Sequence, residues 1–348
     1  MTRDARKIGL EALANAILSK RDTDELVVIY PHVRADGDAY GSSFALVGAL
    51  KKLNIPVLVL LEETASVEGA GDIFTQDCIV WPEASKSQKL AVFEQQAMAI
   101  QVDSSEKSRL ATRDEVYFSS PEQAVIDHHI NSRANGGLFF IDRTAGANVE
   151  LIYTLILLLE EKTGLDLMDH DIALVLYIGL LTDTGGLSYD NTGPETLVIA
   201  SELIQYDLDV AGINNHLFKE KEWEIYQFEA ELARKAKLSD GGDVAYLTVS
   251  QDFIDEHKAK DHYLEHMPAT LRNIKGVKAS LMLRETIGGD YRGNLRSTGD
   301  VDISLVANAF NGGGHKNASG FTIENPETDI DSKILEILEY MQDKLDLK

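Results

Sequence analysis

Short apolar runs alternate with longer helical patterns over the first 190 residues. Four runs rich in Val, Ile, Leu or Ala have the length and composition of buried strands: ELVVIY (25–30), PVLVLL (56–61), AMAIQV (97–102) and AVID (124–127). The segments GSSFALVGALKKL (41–53) and ANVELIYTLILLLEEKTG (147–164) have helical patterns. This alternation predicts an α/β fold with a doubly wound, mainly parallel sheet. Ligands bind such sheets at the carboxyl ends of the strands.

The remainder of the chain predicts a helical connector and a smaller α/β domain. Residues 191–235 show helical periodicity without a strand pattern. Further on, strand patterns stand at DVAYLTVS (243–250), VKASLMLRET (277–286) and GDYRGNLRST (289–298), and helical patterns at DISLVANAF (302–310) and residues 329–348. We therefore expect one domain at 1–190 and a second at 236–348, joined by the connector.

The chain is acidic, with a net charge of −24 from 33 basic and 57 acidic residues. A protein that binds long nucleic acid through a general basic surface needs the opposite balance, because it must neutralise phosphates. No run reaches the roughly 18 apolar residues of a membrane span, and the mixed-charge N-terminus is unlike a signal peptide. The single cysteine, Cys78, excludes an internal disulfide and fits a reducing compartment. We expect a cytoplasmic protein that does not bind membranes.

Acidic and histidine side chains collect where four apolar runs end. They are His32, Asp36, Asp38, Asp103, Asp127, His128, His129 and Asp183. A single Asp after a strand is usually a helix cap or a turn residue. Several carboxylates at one edge of a sheet would repel one another strongly unless cations neutralise them. Aspartate oxygens with imidazole nitrogens suit Mn²⁺ or Mg²⁺ better than Zn²⁺ or Fe²⁺, and paired divalent ions hydrolyse phosphate esters.

The order of these clusters resembles a known family. HVRADGDAYGS (32–42), VDSSE (102–106), VIDHH (125–129) and TDTGG (182–186) resemble the four motifs of the DHH phosphoesterase superfamily. NLRSTGDVDISLVANAFNGGGHKNASGF (294–321) resembles the DHH-associated domain of the first type. The architecture is similar to the stand-alone nanoRNase and pAp-phosphatase proteins and to the phosphodiesterases that break down cyclic-di-AMP and pApA. One departure is Ala35, where the first motif usually has proline.

The resemblance implies a role for each residue of the clusters. One metal ion would be bound by His32, Asp36, Asp103 and Asp183, and the other by Asp38, Asp103, His128 and Asp183, with Asp103 bridging the two. Asp127 would orient His128 or a metal-bound water, although it could equally be a strand-end cap. His129 would contact the scissile phosphate.

Substrate capture is expected from the second domain. Residues 272–316 contain seven basic and four acidic side chains, a local charge of +3 in a chain of −24. A solvated basic surface would explain this excess as well. The residue types themselves also indicate phosphate binding. Arg296 and Ser297 are expected to donate to a terminal phosphate, and the backbone N–H groups of Gly312, Gly313 and Gly314 can approach that phosphate closely. His315 is expected to stack on a base or to donate to a phosphate.

Together with the acidic clusters, the resemblance implies a Mn²⁺-dependent phosphoesterase with short substrates. The candidates are short oligonucleotides (nanoRNA, or their DNA counterparts), linear dinucleotides such as pApA, and the 3′,5′-bisphosphate nucleotide pAp. The alternative on the same scaffold is cyclic-di-AMP hydrolysis. Family II inorganic pyrophosphatase and a RecJ-type processive exonuclease fit less well, because the first has a different second domain and the second needs more basic surface. The non-enzyme alternative is a catalytically inactive nucleotide-binding regulator. Relatives are often homodimers, and the residues themselves give no argument for or against one.

Overall fold

A computed structural model describes residues 1–64, 77–129, 132, 138–324 and 329–347, except the side chain of His315. The chain forms two compact units, Met1–Glu220 and Lys221–Lys348. The boundary between these units falls within the predicted connector, residues 191–235. The domain limits given above stay a prediction.

The first unit is built on a parallel sheet. Its strands are β1 (Leu26–Tyr30), β2 (Val57–Leu61), β3 (Cys78–Val80), β4 (Gln96–Val102), β5 (Glu122–Asp127) and β6 (Leu138–Ile141). Its helices are α1 (Arg3–Leu18), α2 (Gly37–Lys52), α3 (Lys86–Gln95), α4 (Asp114–Ser119), α5 (Val149–Thr163), α6 (His170–Asp183), α7 (Pro194–Leu203) and α8 (Val210–Phe218). The described strands are ordered β3-β2-β1-β4-β5-β6, and every neighbouring pair is parallel. The predicted α/β class and parallel sheet are confirmed.

Helices α2 and α6 pack closely and bring Asp36, Asp38 and Asp183 near one another. Helix α2 is buried from Gly37 to Leu50, and α6 is buried continuously over residues 175–181. A Cβ atom on Gly41 of α2 would lie 2.4 Å from the carbonyl oxygen of Val175 in α6, so the two backbones touch. A Cβ atom on Gly37 would lie 2.3 Å from the hydroxyl oxygen of Thr182, so the start of α2 lies beside the end of α6.

The second unit is built on a mixed sheet. Its strands are β7 (Lys237–Leu238), β8 (Val244–Val249), β9 (Ala279–Glu285), β10 (Tyr291–Ser297), β11 (Gly313–His315) and β12 (Ala318–Ile323). Its helices are α9 (Trp223–Lys235), α10 (Gln251–Glu256), α11 (Met267–Arg272), α12 (Ser304–Ala309) and α13 (Ile330–Leu345). The described strands are ordered β11-β12-β10-β9-β8-β7, with β8 and β9 parallel and the other pairs antiparallel. One apolar cluster includes residues of α12 and α13, and a second includes residues of α9, α10 and α11.

The strands and helices predicted from the apolar patterns are present at their predicted places. Segment 191–235 is helical as expected, with α7 and α8 in the first unit and α9 in the second. The apolar patterns did not predict β3, β6, β7, β11 and β12, the first four of which have only two to four residues. Across the described part of the chain, none of the helices has the length and apolar character needed to span a membrane.

Candidate metal centre

The predicted acidic and histidine residues lie at one edge of the first sheet. His32 follows β1, Asp103 follows β4, and Asp127 is the last residue of β5. Asp36 caps the N-terminus of α2, where its carboxylate accepts a hydrogen bond from the N–H of Ala39 at 3.1 Å. The capping role that single aspartates usually have therefore coexists with a place in the cluster. Asp38 lies in the first turn of α2, and Asp183 ends α6.

Asp103 lies between two histidines. Its Oδ2 atom is 3.5 Å from His32 Nε2, and its Oδ1 atom is 3.3 Å from His128 Nε2. The residue is 2% exposed and has a left-handed backbone, with φ of +56°. Such a conformation is uncommon outside glycine and is often found at functional sites. Its Oδ1 atom is buried without a hydrogen-bond partner.

The ligand atoms fall into two groups that share this edge. The first cation group is His32, Asp36 and Asp103, and the second cation group is Asp38, His128 and Asp183. A further combination, Asp103, His128 and His129, overlaps both. Within each combination, one ligand atom per residue lies within 4.8 Å of the others. Asp183 was expected at both ions, and the structure places it in the second group, 3.6 Å from His128 Nε2.

Both histidines present Nε2 to the carboxylates because Nδ1 faces a backbone carbonyl. His32 Nδ1 lies 2.7 Å from the Val33 carbonyl oxygen, and His128 Nδ1 lies 3.3 Å from that of Ala145. Metal-binding histidines are usually oriented in this way by a bond from the other ring nitrogen. His128 Nε2 is buried without a hydrogen-bond partner, like Asp103 Oδ1 opposite it. Two orphaned buried atoms of metal-binding type fit the presence of a divalent cation here.

Charge crowding shifts the ionisation of the cluster. Burial and the neighbouring carboxylates Asp103 and Asp183 raise the pKa of Asp38 well above its usual range. Burial also raises the pKa of Asp183, to about 6. Although burial by itself lowers the pKa of a histidine, the nearby Asp103 carboxylate raises the pKa of both His32 and His128 to about 10. Protons on these two histidines compensate the carboxylates, and a divalent cation would replace them.

Asp127 holds His129. One carboxylate oxygen accepts from the N–H groups of His128 and His129, at 2.8 and 3.1 Å, and lies 2.8 Å from His129 Nδ1. The other accepts from the hydroxyl of Ser132. Asp127 is fully buried, and the His129 side chain is half exposed. Asp127 thus caps the end of its strand and also orients the ring of His129. The hydrogen bond that His129 donates to Asp127 raises the pKa of His129.

Sequence reasoning missed the residues that hold Asp38. The backbone N–H groups of Asn148 and Val149, at the start of α5, donate to its two carboxylate oxygens, at 2.5 and 2.8 Å. Backbone donors leave no trace in the residue types, so only the position of α5 after β6 could have indicated them. The amide of Asn148 also lies 2.9 Å from the hydroxyl of Ser42, which fixes this end of α5 against α2.

The predicted substrate residues of the second unit lie on adjoining strands. Arg296 is in register with Ala318, and Ala318 is in register with His315. Arg296 is half-buried, with Nη1 3.0 Å from the carbonyl oxygen of Leu295. The His315 side chain lies outside the described part of the chain.

Ser297, Gly312 and Gly314 have roles in the fold that the sequence did not predict. Ser297 is 3% exposed, and its hydroxyl donates to the Val301 carbonyl at 2.7 Å, so its proton is already engaged. A Cβ atom on Gly312 would lie 2.1 Å from the Gly320 carbonyl oxygen, and one on Gly314 2.6 Å from that of Ala318. On Gly313 the nearest atom would be 4.0 Å away, so the fold does not require a glycine there.

The local positive charge is partly neutralised within the same unit. Lys278 pairs with Asp243 at 3.2 Å, and Arg284 with Asp261 at 2.6 Å. Both acidic partners lie outside the +3 segment, so the effective charge of the surface is smaller than the sequence count.

Comparison with known proteins agrees with this geometry. Residues 26–180 match the DHH family, N-terminal domain, and residues 241–346 match the DHHA1 domain. The Bacillus subtilis (strain 168) protein "Bifunctional oligoribonuclease and PAP phosphatase NrnA" is 29% identical over 86% of this chain and 90% of its own length. The Thermus thermophilus protein of the same description is 27% identical over 92% and 90%.

Solved structures share the fold. An exopolyphosphatase-related protein from Bacteroides fragilis has a TM-score of 0.83 at 22% identity, over 97% of this chain and 98% of its own. A structure of exonuclease RecJ bound to manganese has a TM-score of 0.54 at 14% identity, over 95% of this chain and 94% of its own.

Proposed function

Because residues 26–180 belong to the DHH family and residues 241–346 form a DHHA1 domain, we propose that the chain is a phosphoester hydrolase of short nucleotide substrates that uses two divalent cations, with Mn²⁺ preferred. The substrates are nanoRNA, linear dinucleotides such as pApA, and pAp. The curated relatives named above as oligoribonuclease and PAP phosphatase support this choice, since both match over most of their length.

One observation carries the two-cation proposal. The two oxygens of Asp103 face different histidines, His32 at 3.5 Å and His128 at 3.3 Å, and each histidine belongs to a separate cation group. A carboxylate in this position would bridge two ions, as carboxylates do in two-metal phosphoesterases. The oxygen and nitrogen donors favour Mn²⁺, with Mg²⁺ as the alternative.

The cations would activate water and neutralise phosphate charge, and the side chains of the chain would perform the other steps. His129 is held by Asp127 through Nδ1, which leaves Nε2 of a half-exposed ring to meet a phosphate oxygen. Its raised pKa favours the protonated ring, so His129 would stabilise the charge that develops on the scissile phosphate. The hydrogen bonds of Asp127 would prevent the ring from rotating and so keep this donor in place.

The second unit would bind the substrate. Arg296 would donate two parallel hydrogen bonds to a terminal phosphate, and Gly313 would let the phosphate approach the backbone. Ser297 would support the turn after β10, because its hydroxyl proton is engaged by Val301. The net charge of −24 disfavours long polyanions outside such a local site, which fits small substrates.

A hydrolysis panel tests the proposal. The purified chain is stripped of metal, supplied with Mn²⁺ and assayed on pAp, pApA, RNA of two to five nucleotides, cyclic-di-AMP and pyrophosphate. We expect turnover of pAp, pApA and the short RNAs, and none when a chelator is present. Absence of turnover on every member, with Mn²⁺ or Mg²⁺, would contradict the proposal and favour a nucleotide-binding regulator.

Cyclic-di-AMP hydrolysis is the second candidate. The chain is 22% identical to the "Cyclic-di-AMP phosphodiesterase GdpP" of Geobacillus thermodenitrificans (strain NG80-2), over 89% of this chain and 46% of that protein. A specificity constant for cyclic-di-AMP above those for pApA and pAp would select this candidate.

A further inference from the structure

The loop between β6 and α5 contacts two members of the second cation group. The carbonyl of Ala145 lies 3.3 Å from His128 Nδ1 and so sets the orientation of that ring. The N–H groups of Asn148 and Val149 bind both oxygens of Asp38. Small shifts of this loop would therefore move two ligand side chains of one group together.

The same loop is connected to the third member. The side-chain amide of Asn191 donates to the carbonyl of Gly146 at 2.8 Å and to the carbonyl of Asp183 at 3.1 Å. Asn191 thus fixes the end of α6 to the loop. No equivalent link from this loop to His32 or Asp36 is found among the described residues.

A buried ion cluster holds both ends of the loop. Arg6 of α1 reaches Asp142 through Nε at 2.7 Å and Glu150 through Nη1 at 2.9 Å, and all three side chains are 1% exposed. Asp142 is the first residue of the loop, and Glu150 lies in the first turn of α5. The second oxygen of Glu150 accepts from the N–H of Gly146 at 3.1 Å and from the hydroxyl of Thr196 at 2.6 Å.

We propose that Arg6 is a positioning residue for the second cation group. A guanidinium has a rigid fork of donors, so its bonds to Asp142 and Glu150 fix the distance between the two ends of the loop. That distance sets where the loop places Asp38 and His128. Three buried charges are a poor source of net stability compared with apolar packing, which favours a role in geometry. The inference rests on the proposed function, because it takes this group to bind a cation.

The test measures Mn²⁺ binding, not turnover. Titration calorimetry compares the wild type with Arg6→Lys, which keeps the charge and loses the fork. Arg3→Lys is the matched control, because Arg3 lies one turn earlier on α1 and pairs with Glu195 and Glu202 instead of the loop. Asp36→Asn identifies the equivalent that belongs to the first cation group.

Arg6→Lys should weaken the binding of one Mn²⁺ equivalent by about tenfold or more and leave the binding of the other unchanged. This is the usual effect of changing an outer partner of a metal ligand. Arg3→Lys should keep both, and the effects of Arg6→Lys and Asp36→Asn should add in the double variant. Equal weakening of both equivalents, or a lower melting temperature with unchanged affinities, would mean that the cluster is only structural and would overturn the inference.

A second variant decides the matter if Arg6→Lys does not fold. Glu150→Gln keeps the shape of the side chain and leaves Arg6 paired with Asp142, but its single carbonyl oxygen cannot accept from both Arg6 and the N–H of Gly146, so it should weaken binding of the same Mn²⁺ equivalent. Retention of both Mn²⁺ affinities by Glu150→Gln would then overturn the inference. If the wild type binds fewer than two Mn²⁺ ions, the proposed two-cation function fails with it. If the wild type binds two and the variants do as well, only the role of Arg6 is wrong.

Discussion

Replacement of Asp103 by Asn perturbs both proposed cations at once. The side chain faces His32 with one oxygen and His128 with the other, at 3.5 and 3.3 Å. Asn has the same shape and tolerates the left-handed backbone at this position, where φ is +56°. Ala would add backbone strain there, so Asn gives the cleaner test. The bridging charge is lost while the local conformation is kept.

The size of the effect follows from this geometry. Changes to residues that only support a metal ligand lower metal affinity by about 10–100-fold. Asp103 would be a direct ligand of both ions, so the combined Mn²⁺ affinity of the two sites should fall by at least about 10²–10⁴-fold. At about 1.4 kcal/mol per tenfold change, this is about 3–6 kcal/mol. Because turnover by the proposed mechanism would need both ions, we expect kcat/KM for pApA to fall by at least about 100-fold.

Steady-state kinetics over a range of Mn²⁺ concentrations measures this loss. Asp36→Asn is the matched comparison, because Asp36 belongs to the first cation group alone. Because Asp36 is a proposed ligand of one ion, this change should lower Mn²⁺ affinity by at least about tenfold at that ion only. Circular dichroism of the metal-free Asp103→Asn variant checks that the fold is retained. If the variant keeps more than roughly a tenth of wild-type kcat/KM, Asp103 does not bridge two ions.

Further predictions concern the substrate residues and the charge of the cluster. Arg296→Ala should raise KM for pAp by about 10–100-fold, because a charge-assisted hydrogen bond contributes about 1.5–3 kcal/mol; a loss of bound Mn²⁺ would contradict this assignment. Gly313→Ala should raise KM without lowering the melting temperature, whereas Gly312→Ala should destabilise the fold, since its Cβ would meet the Gly320 carbonyl; equal melting temperatures and unchanged KM would refute both. The pKa values of His32 and His128 are raised to about 10 in the folded protein, so the protonated rings stabilise the fold. This stabilisation is fully present below the pKa of the unfolded state and is lost as the pH rises towards 10. Mn²⁺ must displace these protons, so the Mn²⁺-induced rise in melting temperature should grow between pH 6 and 8, and a pH-independent rise would refute the exchange. Turnover per end should be greater on RNA of five nucleotides than on RNA of about 25, and equal rates would show that the acidic surface does not select length.

The elements and the cluster were predictable because their signals are local. Runs of Val and Ile such as 25–30 have the composition of buried strands, and the ends of parallel strands must meet at one edge. Helix α6 was not assigned, because seven consecutive buried residues erase the amphipathic period that marks a helix. The contacts that support the metal-binding residues could not be predicted from the sequence either. Arg6 meets Asp142 and Glu150 across 136 and 144 residues of sequence, and such contacts depend on the assembled fold.

The most direct test of the account is to follow hydrolysis of pApA while metal-free protein is titrated with Mn²⁺ and the bound Mn²⁺ is measured in the same samples. Two cations bridged by Asp103 predict that turnover stays low while the first equivalent binds and rises with the second. Full turnover at one bound equivalent, or turnover in the presence of a chelator, would contradict the two-cation site.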